Sequence, residues 1–213
     1  MNDPPTRARG PEPRISAECQ KLLDTVRKRC PGLLPGDPVR PGKVVDDVAL
    51  KPAEAAALFP AAAALAAGVD QPGADPNAPV LWREGDLELL VQPADVTARF
   101  ATGVVVVTIP VSCDQTGDAQ VHVTFVVGDQ KRPAGLLAAT EQRPRGPAVI
   151  VDAWGDNLVA YAWHVVIEVM TNVAGAAGRD LDGSRLVPVG VAVSGDEVRV
   201  TPMARHPFDR SRE

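Results

Sequence analysis

The chain has little of what usually advertises chemistry. Aromatic residues make up 4% of its 213 positions, tyrosine occurs once, and histidine and cysteine occur three times each. The cysteine spacings fit none of the paired patterns that hold zinc. No G-x-S-x-G elbow marks a serine hydrolase. The stretch Gly175–Gly178 reads GAAG and lacks the G-K-[ST] ending of a phosphate loop. No residue pattern calls for a cofactor or a metal. Basic charge is also in short supply. A net charge of −5 and a pI near 5.3 argue against a dedicated nucleic-acid binder, whose domain would be basic. Long apolar runs are missing too, since Val104–Val111 has the length of a strand rather than of a bilayer-crossing helix. The opening MNDPPTRARGPEPR carries charge and proline where a secretory signal would carry an apolar core. A cytoplasmic home with no membrane contact is therefore expected.

The thiols agree with that expectation. Cys19 and Cys30 fall in one helical pattern, and at 1.5 Å per residue their Cα atoms would stand roughly 16 Å apart, beyond disulfide reach. Cys113 stands alone. Unpaired thiols suit a reducing compartment. The chain prefers Arg to Lys and uses little Asn or Ile, a bias that points to a GC-rich bacterial or phage genome.

Apolar residues make up 45% of the chain, enough for a real core, and Ala and Val carry much of it. Their spacing divides the chain. Residues 1–13 are polar and proline-bearing and are expected to be a disordered tail. Residues 14–68 form a helical N-terminal region. Ile15, Cys19, Leu22, Leu23, Val26 and Cys30 make a helical stripe that Pro31-Gly32 ends. A second helical segment covers Lys51–Ala67, with Pro52 and Glu54 suited to its first turn and Pro60 forcing a break near Phe59. Its Ala-rich half has little to bury, so the region reads as an arm that docks elsewhere. Residues 69–79 are a linker, 80–204 a β-rich domain and 205–213 a C-terminal tail.

Within 80–204 the apolar residues alternate with a period of two, which places each set on one face of a strand. Val80–Glu84 and Leu87–Gln92 flank a Gly85-Asp86 turn. Gly103–Cys113 turns Val105, Val107, Ile109 and Val111 inward, and Pro110 asks for an edge or a bulge. Ala119–Val127 turns Val121, Val123 and Phe125 inward. Pro147–Ala153 is expected as another strand. Gly155-Asp156-Asn157 is expected as a turn into a long strand at 158–171, where Val159, Tyr161, Trp163, Val165, Ile167 and Val169 share a face. Leu186–Val193 and Val198–Met203 close a final hairpin. The expected fold is mainly β (α+β overall). It is an antiparallel β-sandwich or barrel of about eight strands, preceded by two or three N-terminal helices.

Candidate chemistry is thin. His122 and His164 each point away from the core on their strands and approach one another only if those strands are neighbours. Glu168 would lie two pleats from His164, roughly 13 Å away, so no metal triad follows. His206 lies in the tail. Cys113 lacks a partner base, and Asp114 beside it would raise its pKa. Ser194 precedes a hairpin glycine and is turn chemistry. Asp180-Leu181-Asp182-Gly183 is a fragment of a calcium loop without the later ligands. An uninterrupted meander would gather Asp114, Asp118, Asp156, Asp196 and Glu197, with Trp154, at one end. It would gather Lys131, Arg132, Arg143, Arg145, Arg179 and Arg185 at the other. Such a basic rim would hold an anionic ligand or an acidic partner.

The leading expectation is a non-enzymatic structural or adaptor module of a larger cytoplasmic assembly, acting through a protein partner or self-association. The alternative is a small-molecule-binding barrel or sandwich, with Trp82, Trp154, Tyr161 and Trp163 lining the pocket. The third is a hydrolase using Cys113 or the His122/His164 pair.

Overall fold

The computed structural model describes residues 47–68, 75, 77–129, 138–139, 143–176 and 185–205. Among the described residues it is mainly β, with two antiparallel sheets and no closed barrel. One sheet has three strands in the order β1 (Val48–Leu50), β9 (Val198–Arg205), β8 (Arg185–Val193). The other runs β2 (Val80–Glu84), β3 (Leu87–Val91), β5 (Val104–Cys113), β6 (Gly117–Val126), β7 (Ala138–Ala139), and β4 (Thr97–Ala101) also pairs with β5. Three helices are described: α1 (Pro52–Ala56), α2 (Phe59–Ala66) and α3 (Ala148–Ala176). The helix expected from Ile15, both tails and most of the 69–79 linker lie outside the described residues.

The two-residue rhythm is borne out in β5 and β6. Val105, Val107, Ile109, Val111, Val121, Val123 and Phe125 are all buried, and their neighbours are not. The hairpins expected at Gly85-Asp86 and at 194–197 form as β2–β3 and β8–β9. Ser194 is turn chemistry, its amide donating to the Glu197 carbonyl at 2.8 Å. Pro110 lies inside the sheet where β3 gives way to β4 as the partner of β5, around a 3-10 turn at Pro93–Asp95. Its carbonyl accepts the Gln92 amide at 3.1 Å, so the missing N–H falls in the gap between the two partner strands.

Residues 48–67 are built into the same core. Pro52 opens α1, and the Glu54 carboxylate accepts the Lys51 amide at 2.8 Å. Pro60 opens α2 after the expected break. The Ala-rich α2 is not a free arm. Its small side chains let it lie close against α3, and Phe59 meets Phe100 of β4 edge-on at 5.9 Å. β1 pairs with β9, joining the start of the described chain to its end.

The main correction concerns 147–176. The strands expected at Pro147–Ala153 and Leu158–Thr171 are a single α-helix, α3, of 29 residues. Ile150, Trp154, Leu158, Tyr161, Val165, Val169 and Val173 follow steps of three and four as well as their partial alternation. The rhythm misled because α3 is a core helix. From His164 to Met170 every residue is buried, His164 and Glu168 included, so polarity there marks no wet face to set the helical period. Gly155-Asp156-Asn157 is not a turn. Gly155 sits inside the helix, where Pro144 packs close against it. α3 is also long and apolar enough to cross a bilayer, contrary to the expectation that no such segment exists, but 67% of its most apolar window is buried inside the fold. With α3 between β7 and β8 the meander is broken, and the premise behind the two charged rims goes with it.

The two sheets meet at one corner. Gly103, at φ 71° in the β4–β5 turn, donates its amide to the Val193 carbonyl of β8 and accepts from Val127, both at 2.9 Å. Gly128 completes the joint with Val191 and Val193. One hydrophobic core runs from Phe59 and Trp82 through α3 to Val198 and Val200.

Candidate functional site

The inner face of the larger sheet is filled. Trp82 of β2 meets Trp154 at 6.1 Å and Tyr161 at 5.5 Å, and Phe125 meets Trp163 at 6.0 Å. The Tyr161 hydroxyl donates to the Ala63 carbonyl of α2 at 3.0 Å, and burial pushes the phenol pKa well up from its ordinary value. The scarce aromatics are thus spent on packing α3 against the sheet and α2.

A small cleft opens at the start of α3. The β2–β3 turn, the β5–β6 turn and the first turns of α3 enclose about 160 Å³, lined by Asp86, Leu87, Cys113, Asp114, Ile150 and Trp154 among others. Ligand pockets span roughly 300–1,000 Å³, so this one is below that range. Cys113 Sγ lies 3.1 Å from Thr116 Oγ1. That hydrogen bond, with the backbone amides of Thr116 and Gln115, holds the thiol below its ordinary pKa. Burial and Asp114 push the other way and are outweighed. The expectation from Asp114 alone had the net direction reversed. The partner of Cys113 is a hydroxyl rather than an imidazole base.

The histidines are kept apart. His122 is on the outer face of β6, its Nδ1 2.9 Å from Thr108 Oγ1. His164 is buried on α3, which packs against the inner face of that sheet. The sheet stands between the two rings. Glu168, also buried, is one helical turn from His164 on the same face rather than two pleats away. Strand-based spacing concealed that pairing, and the sequence signal for it was the i, i+4 step. Asn157 is also buried on α3, and its Nδ2 has no hydrogen-bond partner. Among the described residues no group of three or more His, Cys, Asp or Glu could hold a metal ion.

Of the basic-rim residues, Arg143 pairs with Asp152 of α3, and Arg145 bridges to His122 through paired backbone bonds of 2.8 and 2.9 Å. Arg185 opens β8 opposite Arg205, in the other sheet. Lys131, Arg132 and Arg179, with the Asp180–Gly183 loop, lie outside the described residues. The acidic group is divided as well. Asp114 and Asp118 flank the β5–β6 turn, Asp156 is on α3, and Asp196 and Glu197 sit in the β8–β9 turn.

The broadest feature is the outer face of the larger sheet. Val104, Val106, Thr108, Pro110 and Ser112 of β5 point there, flanked on one side by Thr97, Arg99 and Ala101 of β4 and by Leu90 beside Ser112 with Leu81 beyond, and on the other by Asp118, Gln120, His122, Thr124 and Val126 of β6. Among the described residues no helix or strand covers this face. Leu81 is 42% exposed and Val126 49%. No family model matches the chain, and neither the curated proteins nor the solved structures contain a match to it.

Proposed function

We propose that the protein is a non-enzymatic structural or adaptor module that works through protein–protein contacts in a cytoplasmic assembly. The observation that carries this is the open outer face of the six-stranded sheet. One-sided antiparallel sheets normally show water a polar face. Here the central strand shows Val104, Val106, Thr108, Pro110 and Ser112, none of them charged, with Leu90 beside Ser112, and the formal charges stand on the flanking strands and beyond, at Arg83, Glu88, Arg99, Asp118 and Arg145. A neutral centre with a charged rim is the anatomy of a contact surface. The small cleft and the packed aromatic cluster favour neither the ligand-binding alternative nor a hydrolase built on Cys113 or the histidines.

The test is co-purification of the full chain from its host after mild crosslinking, alongside a variant carrying Val106→Glu and Val126→Lys. The expected result is a stoichiometric protein companion, or a second copy, held by the wild type and lost by the variant, with circular dichroism unchanged. A wild type that runs as a strict monomer and retains no protein would overturn the proposal.

A further inference from the structure

We infer that the outer face of the six-stranded sheet is a homodimer interface, on which a second copy of this chain packs face to face. The inference rests on the contact-module proposal and names its partner.

The first support is area. β5 and β6 are each ten residues long, which at about 3.3 Å per residue gives roughly 33 Å. Four ranks of strand (β3 with β4, β5 and β6 at that length, β2 at half of it) at about 4.8 Å spacing give a face of roughly 550 Å² per copy. Two such faces bury roughly 1,100 Å², above the area of about 1,000 Å² that a biological interface should clear.

The second support is self-complementarity. In a twofold contact the same patch meets itself, so a patch of one charge sign would repel its own copy. This face avoids that problem. Its middle carries valine, threonine and proline, and its margins carry both signs, Arg99 and Arg145 against Glu88 and Asp118. Arg83 already meets Glu88 at 2.8 Å, which keeps that margin neutral. The inner face is taken by α3, so only the outer face remains for aligned sheet-on-sheet packing.

Sedimentation of the full chain over a range of concentrations tests the inference. The wild type is expected to be a dimer in the micromolar range. Val106→Glu, on the central strand, or Leu90→Glu, beside Ser112 towards the other end of that strand, is expected to weaken it about 100-fold. Leu58→Glu, on the exposed α1–α2 junction, should leave the dimer intact. Should these two variants unfold, Val126→Lys at the exposed margin gives the same readout with less strain. A wild-type dimer indifferent to all three face variants overturns the inference. A monomer that co-purifies with a different protein also overturns it and leaves the contact-module proposal standing. A monomer with no companion defeats both. A monomer whose outer face crosslinks to its own residues 1–46 assigns the face to that segment instead and overturns the dimer.

Discussion

Tyr161 is the chain's only tyrosine, so its ionisation is a single-site report on the α2–α3 contact. The phenol is fully buried, donates to the Ala63 carbonyl at 3.0 Å and packs edge-on against Trp82. In Tyr161→Phe the ring packing survives and one hydrogen bond is lost. The Ala63 carbonyl is not orphaned, because it still accepts the Ala67 amide at 2.9 Å. The loss is therefore that of one ordinary hydrogen bond, about 1 kcal/mol, or a fall of about 2–4 °C in Tm. Alkaline pH reverses the order. An unfolded tyrosine ionises near pH ~10, whereas burial holds the folded phenol protonated well above that. The unfolded state then binds fewer protons than the folded one. Stability from this group is full below pH ~10 and is lost as pH rises, by about 1.4 kcal/mol per unit. Wild type and Tyr161→Phe should cross in stability near pH ~11, where that loss has offset the hydrogen bond. Urea titrations followed by circular dichroism from neutral to alkaline pH measure the crossing. Tyrosinate absorbance should rise only as the protein unfolds. A tyrosinate signal near pH ~10 in protein that circular dichroism reports as folded would refute the buried hydrogen bond and the α2–α3 packing built on it.

Three further outcomes follow from the same structure. Alkylation of Cys113 should show a pH midpoint below that of the unfolded chain. Thr116→Val should move the midpoint up by removing the hydroxyl that favours the thiolate, and no movement would discount that bond. Asn157→Leu should raise stability in urea titrations by about 1 kcal/mol, since it replaces a buried amide nitrogen that lacks a partner with apolar volume. A loss of similar size would show that the amide is satisfied. Gly146→Ala should cost about 1–3 kcal/mol by the same measurement. A Cβ there meets Val121 Cγ2 at 3.0 Å and the Gln120 carbonyl at 3.3 Å, with Val151 Cγ2 at 3.4 Å behind, and a neutral result would mean the start of α3 sits further from β6.

Legibility in the sequence followed how each element meets water. β5 and β6 were readable because one face is wet and the other dry, so Thr108, His122 and Thr124 separate cleanly from Val107, Val121 and Val123. The two proline-bearing helix starts at Pro52 and Pro60 were readable because proline acts locally. α3 was not, because from His164 to Met170 every residue is buried, so polarity there does not track exposure. His164 and Glu168 looked like a wet strand face, and Asn157 like a turn residue, while all three lie inside the core. That single inversion displaced the histidines to opposite sides of a sheet, put Glu168 one turn from His164, and broke the meander from which the charged rims were argued. The contact face depended on a different kind of information. Period two told which side chains of β5 share a face, but not that the opposite face would be covered by α3 and this one left bare. That assignment is tertiary, and it changes the meaning of Val106 and Leu90. On a sandwich they would be ordinary strand residues of either layer. On a sheet whose other side is already filled by a 29-residue helix, they are apolar residues on a face with no described cover, and a second surface is the simplest thing that removes them from water.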